Sequence, residues 1–214
     1  MMSGIEAAWR EVKIIVIALI GLELLALWYR KWLVMIMSTT LLGWVVYFFR
    51  NPDRQPDSLM SNAILAPADG KIMSIELVNE PYFIFGQTQR ISIFLSLFDV
   101  HVQRSPEAGT IELLYYRQGT FAPAFMSHSD TNEFNLMGLQ TDHGPVVIKQ
   151  MAGILARRII CWHDIGDQLI KGERFGLIRF GSRVDLFLPT NVEILVEVGQ
   201  QLYGGQTTVA TWQK

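Results

Sequence analysis

The chain has 214 residues, of which half are hydrophobic and 18% are charged, and its net charge is −2. A chain without a net positive charge or a basic stripe does not fit a nucleic-acid partner, so we expect none. The single cysteine, Cys161, excludes an internal disulfide. No two of the four histidines stand at the i, i+4 spacing of a helical metal site, so we expect no metal either.

Most of the apolar excess lies in the first fifty residues. One uncharged apolar run covers residues 14–22 and resumes after Glu23, and a second covers residues 32–49. A membrane-spanning helix needs about 20 apolar residues to cover about 30 Å of hydrocarbon, and aromatic side chains near the ends of both runs are typical of a membrane interface. We therefore predict a hydrophobic helical hairpin over residues 1–50, attached to the cell membrane. It either crosses the bilayer or enters one leaflet; a pair of soluble core helices is the alternative.

The orientation of this hairpin is weakly marked, because positive charges flank both apolar runs. A hairpin returns the chain to the side from which it starts. We therefore expect the remainder of the chain on the same side as the N-terminus, at the cytoplasmic face.

Residues 51–62 form a polar, proline-containing linker, and the region from 63 to 214 has a different pattern. Short alternating or β-branched runs, separated by glycine and proline, predict a mostly β domain. The predicted strands are Lys71–Val78, Arg90–Leu97, Gly109–Tyr116, Val146–Met151, Arg157–Trp162, Arg183–Leu188 and Glu193–Val198. Thr120–Met126 and Asp130–Asn135 are candidates for short helices.

A G-x-x-L-x-x-G pattern occurs twice in this region, at residues 166–172 and again 33 positions later at residues 199–205. Glycines at these positions supply the positive φ angles of tight turns. The repeat predicts a compact β-sandwich or barrel built from two lipoyl-like (hybrid-motif) halves. A lipoyl or biotinyl carrier would need a lysine on an exposed Met-Lys hairpin, and no lysine here has that context.

Three short segments carry residues suited to chemistry: Ala66-Pro67-Ala68-Asp69-Gly70, Asp99-Val100-His101-Val102 and Phe180-Gly181-Ser182. Each alone is typical of an ordinary turn or strand end. Three further segments lie in order with them: Phe48-Phe49-Arg50-Asn51-Pro52-Asp53-Arg54, Leu155-Ala156-Arg157-Arg158-Ile159 and Gly172-Glu173-Arg174-Phe175-Gly176. Together they resemble the phosphatidylserine decarboxylase family, and especially its short members, which include enzymes acting on archaeal ether lipids. The resemblance covers nearly the whole chain.

The resemblance implies a self-processing decarboxylase domain over residues 63–214. Ser182 would attack the carbonyl of Gly181, so that the chain is cleaved between residues 181 and 182. The large subunit (1–181) and the small subunit (182–214) would stay together as a heterodimer, with a higher oligomer left open. Ser182 would become a covalent pyruvoyl group, the cofactor that forms a Schiff base with phosphatidylserine and converts it to phosphatidylethanolamine and CO2.

The resemblance also implies roles for individual side chains. Ser182 is the nucleophile, His101 is the base that activates it and Asp69 orients that base. After cleavage, His101 is the candidate to return a proton to the substrate carbon. Arg104, Arg179 and Arg183 are candidates to bind the phosphate or carboxylate of the serine phospholipid.

Two positions depart from the family pattern. Longer members carry a second histidine three residues after the first, where this chain has Arg104, and short members carry an arginine where this chain has Phe134. The first departure places both the base and the acid role on His101. The alternatives are a membrane-tethered hybrid-motif β domain that binds without catalysis and a family member that does not mature. The lipid tails, diacyl or archaeal ether, leave no mark on the motifs because both substrates share the headgroup that reacts.

Overall fold

A computed structural model describes residues 4–58, 60–120, 131–153, 158–179 and 182–213. The chain divides into two compact units, Met1–Pro52 and Asp53–Lys214, and each has a hydrophobic core of its own. The division falls inside the stretch that the sequence marks as a linker.

The first unit is a pair of helices, α1 (Gly4–Trp28) and α2 (Trp32–Phe48). Arg30, at a φ of 53°, lies in the short turn between them. Val16 and Leu19 of α1 share a small core with Val45 of α2, and the carboxylate of Glu23 accepts a hydrogen bond of 2.7 Å from the Thr39 hydroxyl. The predicted helical hairpin is confirmed. Within the described residues, neither helix is both long enough and apolar enough to cross a membrane.

The second unit is mostly β, as the sequence predicts. Its described residues form the strands β1 (Ala63–Leu65), β2 (Gly70–Glu80), β3 (Gly86–Leu95), β4 (Val102–Arg104), β5 (Gly109–Arg117), β6 (Phe134–Gln140), β7 (Pro145–Met151), β8 (Ile159–Cys161), β9 (Gln168–Leu169), β10 (Arg174–Ile178), β11 (Ser182–Pro189), β12 (Val192–Ile194), β13 (Gln201–Leu202) and β14 (Thr208–Trp212). Each strand predicted from the sequence has a counterpart here. The short helix predicted at Asp130–Asn135 is wrong, because β6 begins at Phe134; the one predicted at Thr120–Met126 lies mainly outside the described residues.

One large antiparallel sheet dominates the unit, with the strand order β13-β2-β3-β11-β7-β6-β5-β9. Two three-stranded sheets, β1-β14-β12 and β4-β10-β8, complete it. β11 lies in the interior of the large sheet, hydrogen-bonded to β3 on one side and to β7 on the other. The first residue of β11 is Ser182, so the fold places the predicted cleavage point at the start of a central strand.

The large sheet consists of two similar halves, β13-β2-β3-β11 and β9-β5-β6-β7. The backbone N–H of Gly199 donates to the carbonyl of Ile72 at 2.9 Å, and in the other half that of Gly166 donates to Ile111 at 2.8 Å. The four repeat glycines, at residues 166, 172, 199 and 205, all have positive φ angles. The two G-x-x-L-x-x-G segments are therefore equivalent turns, one in each half, as the repeat predicts.

Candidate active site

Ser182 is fully buried at the start of β11, where it pairs with Leu95 at the end of β3. Its hydroxyl oxygen is also buried and has no hydrogen-bond partner among the described residues. A buried hydroxyl without a partner is costly, and such an exception calls for a specific explanation. Gly181, the other residue of the predicted cleavage site, lies outside the described residues, as does Phe180.

His101 is fully buried just before β4. Its Nδ1 lies 2.9 Å from the backbone carbonyl oxygen of Asp99. Because a carbonyl only accepts, the Nδ1 nitrogen must carry the hydrogen, which leaves the lone pair of a neutral ring on Nε2. His101 is thus held in the tautomer that a base acting through Nε2 needs.

The loop that leads to His101 is fixed by the side chain of Asp99. One carboxylate oxygen accepts from the backbone N–H of Ser96 at 2.8 Å and from its hydroxyl at 2.6 Å. The other accepts from the side-chain amide of Gln201 at 3.1 Å. The carbonyl that holds His101 is therefore positioned by contacts on both sides of the predicted cleavage point in the sequence.

Two short connections bring His101 and Ser182 to the same end of the domain. The loop after Leu95 leads to His101, whose carbonyl accepts from the backbone N–H of Ile178 at 3.3 Å. Ser182, four residues after Ile178 in the sequence, pairs with Leu95. His101 and Ser182 therefore both lie close in sequence to a backbone contact between the two segments, at Ile178 and at Leu95.

Asp69 is also buried, and its carboxylate binds two partners. Both carboxylate oxygens bind the guanidinium of Arg54, with an Nη2–Oδ2 distance of 2.7 Å. Oδ1 also accepts from the backbone N–H of Gly204 at 2.8 Å. The contact to His101 that the sequence predicts is not among the bonds of Asp69 with the described residues. The Asp69 carboxylate binds Arg54 and Gly204, and the carbonyl of Asp99 contacts Nδ1 of His101.

Arg104, which occupies the place of the second histidine of longer family members, belongs to the surroundings of Asp69. Its buried guanidinium donates to the carbonyl of Gly172 at 3.3 Å. Burial lowers the pKa of Arg104 to about 10, the charges of Arg174 and Arg54 act in the same direction, and Asp69 opposes them. Three arginines and the carboxylate of Asp69 therefore share one region of the domain.

Arg183 follows Ser182 directly and so points to the opposite face of β11. Its guanidinium binds the carboxylate of Asp185 through Nε at 2.6 Å and Nη2 at 2.9 Å, and donates to the Ser92 hydroxyl at 3.1 Å. Arg183 and Asp185 are both buried. Arg179, the third arginine candidate, is half-buried at the end of β10, where the chain leads toward Ser182.

A chain of three buried amides also ends at His101. The side chain of Asn135 donates to Gln150 at 3.0 Å, Gln150 donates to Gln103 at 2.9 Å, and Gln103 donates to the carbonyl of His101 at 2.8 Å. Sequence reasoning missed this chain, and it missed the roles of Arg54 and Asp99. Arg54 and Asp99 lie inside the segments that carry the family resemblance, and this position in the sequence was the signal that could have identified them. The three amides lie outside those segments, so no sequence motif identifies them.

The recorded contacts of His143 and Cys161 do not involve Ser182, His101 or Asp69. His143 is exposed and stacks on Trp212 with ring centroids 5.8 Å apart, and His128 lies outside the described residues. Cys161 is half-buried, and burial raises the pKa of its thiol. Among the residues that the structure describes, no three metal-ligating side chains lie together as a group that could hold a metal ion.

Ser182 and His101 are both fully buried, and a nucleophilic serine needs a base within hydrogen-bond reach. Residues 41–210 match the model of the phosphatidylserine decarboxylase family. The chain is 47% identical over 168 residues to a phosphatidylserine decarboxylase proenzyme of Carboxydothermus hydrogenoformans, which covers 77% of this chain and 78% of the relative. It is 42% identical over 194 residues to the phosphatidylserine decarboxylase proenzyme of Symbiobacterium thermophilum, a match that covers 90% of this chain and 89% of the relative. It is 44% identical over 177 residues to the phosphatidylserine decarboxylase proenzyme of Chlorobium limicola, a match that covers 82% of each chain.

The chain belongs to the phosphatidylserine decarboxylase family, and it is a decarboxylase. The family resemblance that the sequence motifs indicate is confirmed.

Proposed function

We propose that this chain is a self-processing, pyruvoyl-dependent decarboxylase that converts phosphatidylserine to phosphatidylethanolamine and CO2. The observation that carries the proposal is Ser182, a buried hydroxyl without a partner among the described residues, in a chain whose relatives are named proenzymes. A buried hydroxyl without a partner does not stabilise the fold, and fold stability does not account for the proenzyme names of the relatives. Both fit a residue that is consumed by its own chemistry.

The self-cleavage step assigns one role to each residue. His101 takes the proton of the Ser182 hydroxyl, and the oxygen attacks the carbonyl carbon of Gly181. The amide bond between residues 181 and 182 breaks as an ester forms, and the serine nitrogen gains a proton. Loss of the serine α-proton then expels Gly181 as a carboxylate and leaves dehydroalanine. Addition of one water releases ammonia and leaves a ketone at residue 182.

The surroundings of Ser182 fit such a ketone, because its hydroxyl has no hydrogen bond to a described residue that the conversion would break. The ketone at residue 182 would supply the electron sink that decarboxylation of the substrate needs. His101, held by Asp99, is then the residue that delivers a proton to the substrate carbon. Arg179 is the arginine we propose for the substrate headgroup, since Arg104 and Arg183 are buried against partners inside the domain.

The two fragments would stay together after cleavage because their strands are interleaved. β11 lies between β3 and β7, β13 pairs with β2, and β14 pairs with β1. Residues 182–214 would therefore remain an integral part of the sheet.

For the helical pair of the first unit we propose attachment to the cell membrane, with the catalytic unit at the cytoplasmic face. The many exposed aliphatic and aromatic side chains of this helical pair support the attachment to a membrane.

The proposal is tested by supplying phosphatidylserine in detergent micelles to the full chain and measuring phosphatidylethanolamine and CO2. We expect turnover by the wild type and none by Ser182→Ala. His101→Gln is expected to remain uncleaved and therefore inactive. A folded wild-type chain that binds the lipid without releasing CO2 would instead favour a membrane-tethered, non-catalytic β domain.

A further inference from the structure

Residues 53–57, which we call the strap, are bound to the catalytic unit rather than acting as a free linker. The backbone N–H of Asp57 donates to the carbonyl of Gln206 at 2.9 Å, and the Gln206 amide donates back to the Asp57 carboxylate at 3.2 Å. At the other end of the strap, Arg174 donates to the carboxylate of Asp53 at 2.5 Å. These contacts fix both ends of the strap on either side of Arg54.

Arg54 is the residue of the strap that enters the domain. Its side chain is 10% exposed and forms a two-pronged ion pair with the carboxylate of Asp69. Nη1 also donates to the carbonyl of Gly204 at 3.0 Å, while the backbone N–H of Gly204 donates to Asp69. The three groups form a closed node in which every pair is hydrogen-bonded. A lysine could supply the charge here but not the planar fork.

The residue that follows Asp69 lies close to β3, the strand that pairs with Ser182. Gly70, next to Asp69, has a φ of +145°, and a Cβ there would lie 2.2 Å from the carbonyl oxygen of Phe94. The Asp69 segment therefore rests on the last part of β3, and the next residue, Leu95, pairs with Ser182. A displacement of Asp69 would move the strand end that aligns the predicted cleavage point.

We propose that Arg54 is a positioning residue for self-cleavage, acting through Asp69 and the end of β3 on the alignment of Ser182. This inference rests on the proposed self-processing function. Asp69 contributes through its pair with Arg54 and not as a direct partner of His101. Arg54, and not the rest of the strap, is thereby part of the machinery that matures the enzyme.

The test is a time course of cleavage during cell-free synthesis of the full chain, with the cleaved fraction read by intact mass. We expect Arg54→Ala to slow cleavage about 10- to 100-fold, the effect of a small misplacement of reacting groups. Guanidinium ion added to Arg54→Ala should restore part of the rate, and Arg54→Lys should recover only part of it. Asp53→Asn, at the exposed ion pair of the same strap, is the matched control and should cleave at the wild-type rate.

A double-substitution cycle identifies the route of the effect. If Arg54 acts through Asp69, the chain with both Arg54→Ala and Asp69→Asn should cleave no more slowly than the slower single variant. Melting temperatures in a Ser182→Ala background show whether each variant folds. Should Arg54→Ala unfold, Arg54→Lys carries the test, since slow cleavage by a folded chain supports the inference.

Wild-type rates for folded Arg54→Ala or Arg54→Lys, or fully additive losses in the double variant, would overturn the inference. It would also be overturned if Asp53→Asn slowed cleavage as much as Arg54→Ala, because loss of strap attachment alone would then explain the slow cleavage of both variants. A wild-type chain that never cleaves would instead remove the proposed function, so the two failures are distinguishable.

Discussion

Arg183→Met should strongly destabilise the catalytic unit, because it removes the cation that binds Asp185. Asp185 is fully buried, and both of its carboxylate oxygens bind the guanidinium of Arg183. Removing one partner of a buried ion pair typically costs about 3–5 kcal/mol. Each kcal/mol lowers the melting temperature of a domain of this size by about 2–4 °C, so we expect a decrease on the order of 10 °C.

The assay is thermal unfolding of the full chain in a Ser182→Ala background, in which proposed self-cleavage cannot occur. The double variant Arg183→Met, Asp185→Leu should regain most of the loss, since replacing both members of a buried pair with apolar groups is often neutral. A melting temperature of Arg183→Met within about 2 °C of the parent, roughly 1 kcal/mol or less, would refute the structural role. Arg183 would then return as a candidate for binding the substrate.

Two further predictions concern Asp99 and Cys161. Asp99→Ala removes the carboxylate that holds the loop before His101, so cleavage should slow by about tenfold or more; an unchanged time course would show that the loop holds its shape without that carboxylate. Because burial raises the pKa of the Cys161 thiol, little thiolate forms near neutral pH, and its reaction with a disulfide reagent should speed up markedly in urea. Equal rates with and without urea would contradict this.

The strands that the sequence predicts are those with a polar face or a β-branched run. β6 was missed because its residues from Phe134 to Leu139 are all buried, so that no polar alternation marks them. β9 and β13 have two residues each, too few for any periodic pattern. Both nevertheless belong to the glycine turns that the sequence repeat identifies, which is why the two-halved architecture was predictable when these strands were not.

The contacts of the site were less predictable than its residues. The family motifs indicate Ser182, His101 and Asp69, but the partners of these residues depend on packing between distant segments. Arg54 lies 15 positions from Asp69 and 150 from Gly204. His101 is held by a backbone carbonyl, and no residue type in a sequence marks a particular carbonyl as an acceptor. The motif segments therefore indicate the residues of the site, while the partners of Asp69 and His101 could be read only from the structure.

The most direct test of self-processing at Ser182 is the intact mass of the purified wild-type chain beside that of Ser182→Ala. We predict two wild-type fragments, residues 1–181 and 182–214, the smaller one lighter by one ammonia than a serine-initiated peptide and reactive with a hydrazine. Ser182→Ala should give a single full-length mass with no hydrazine adduct. A wild-type chain that remains whole, or a small fragment that begins with an unmodified serine, would contradict the proposed conversion of Ser182.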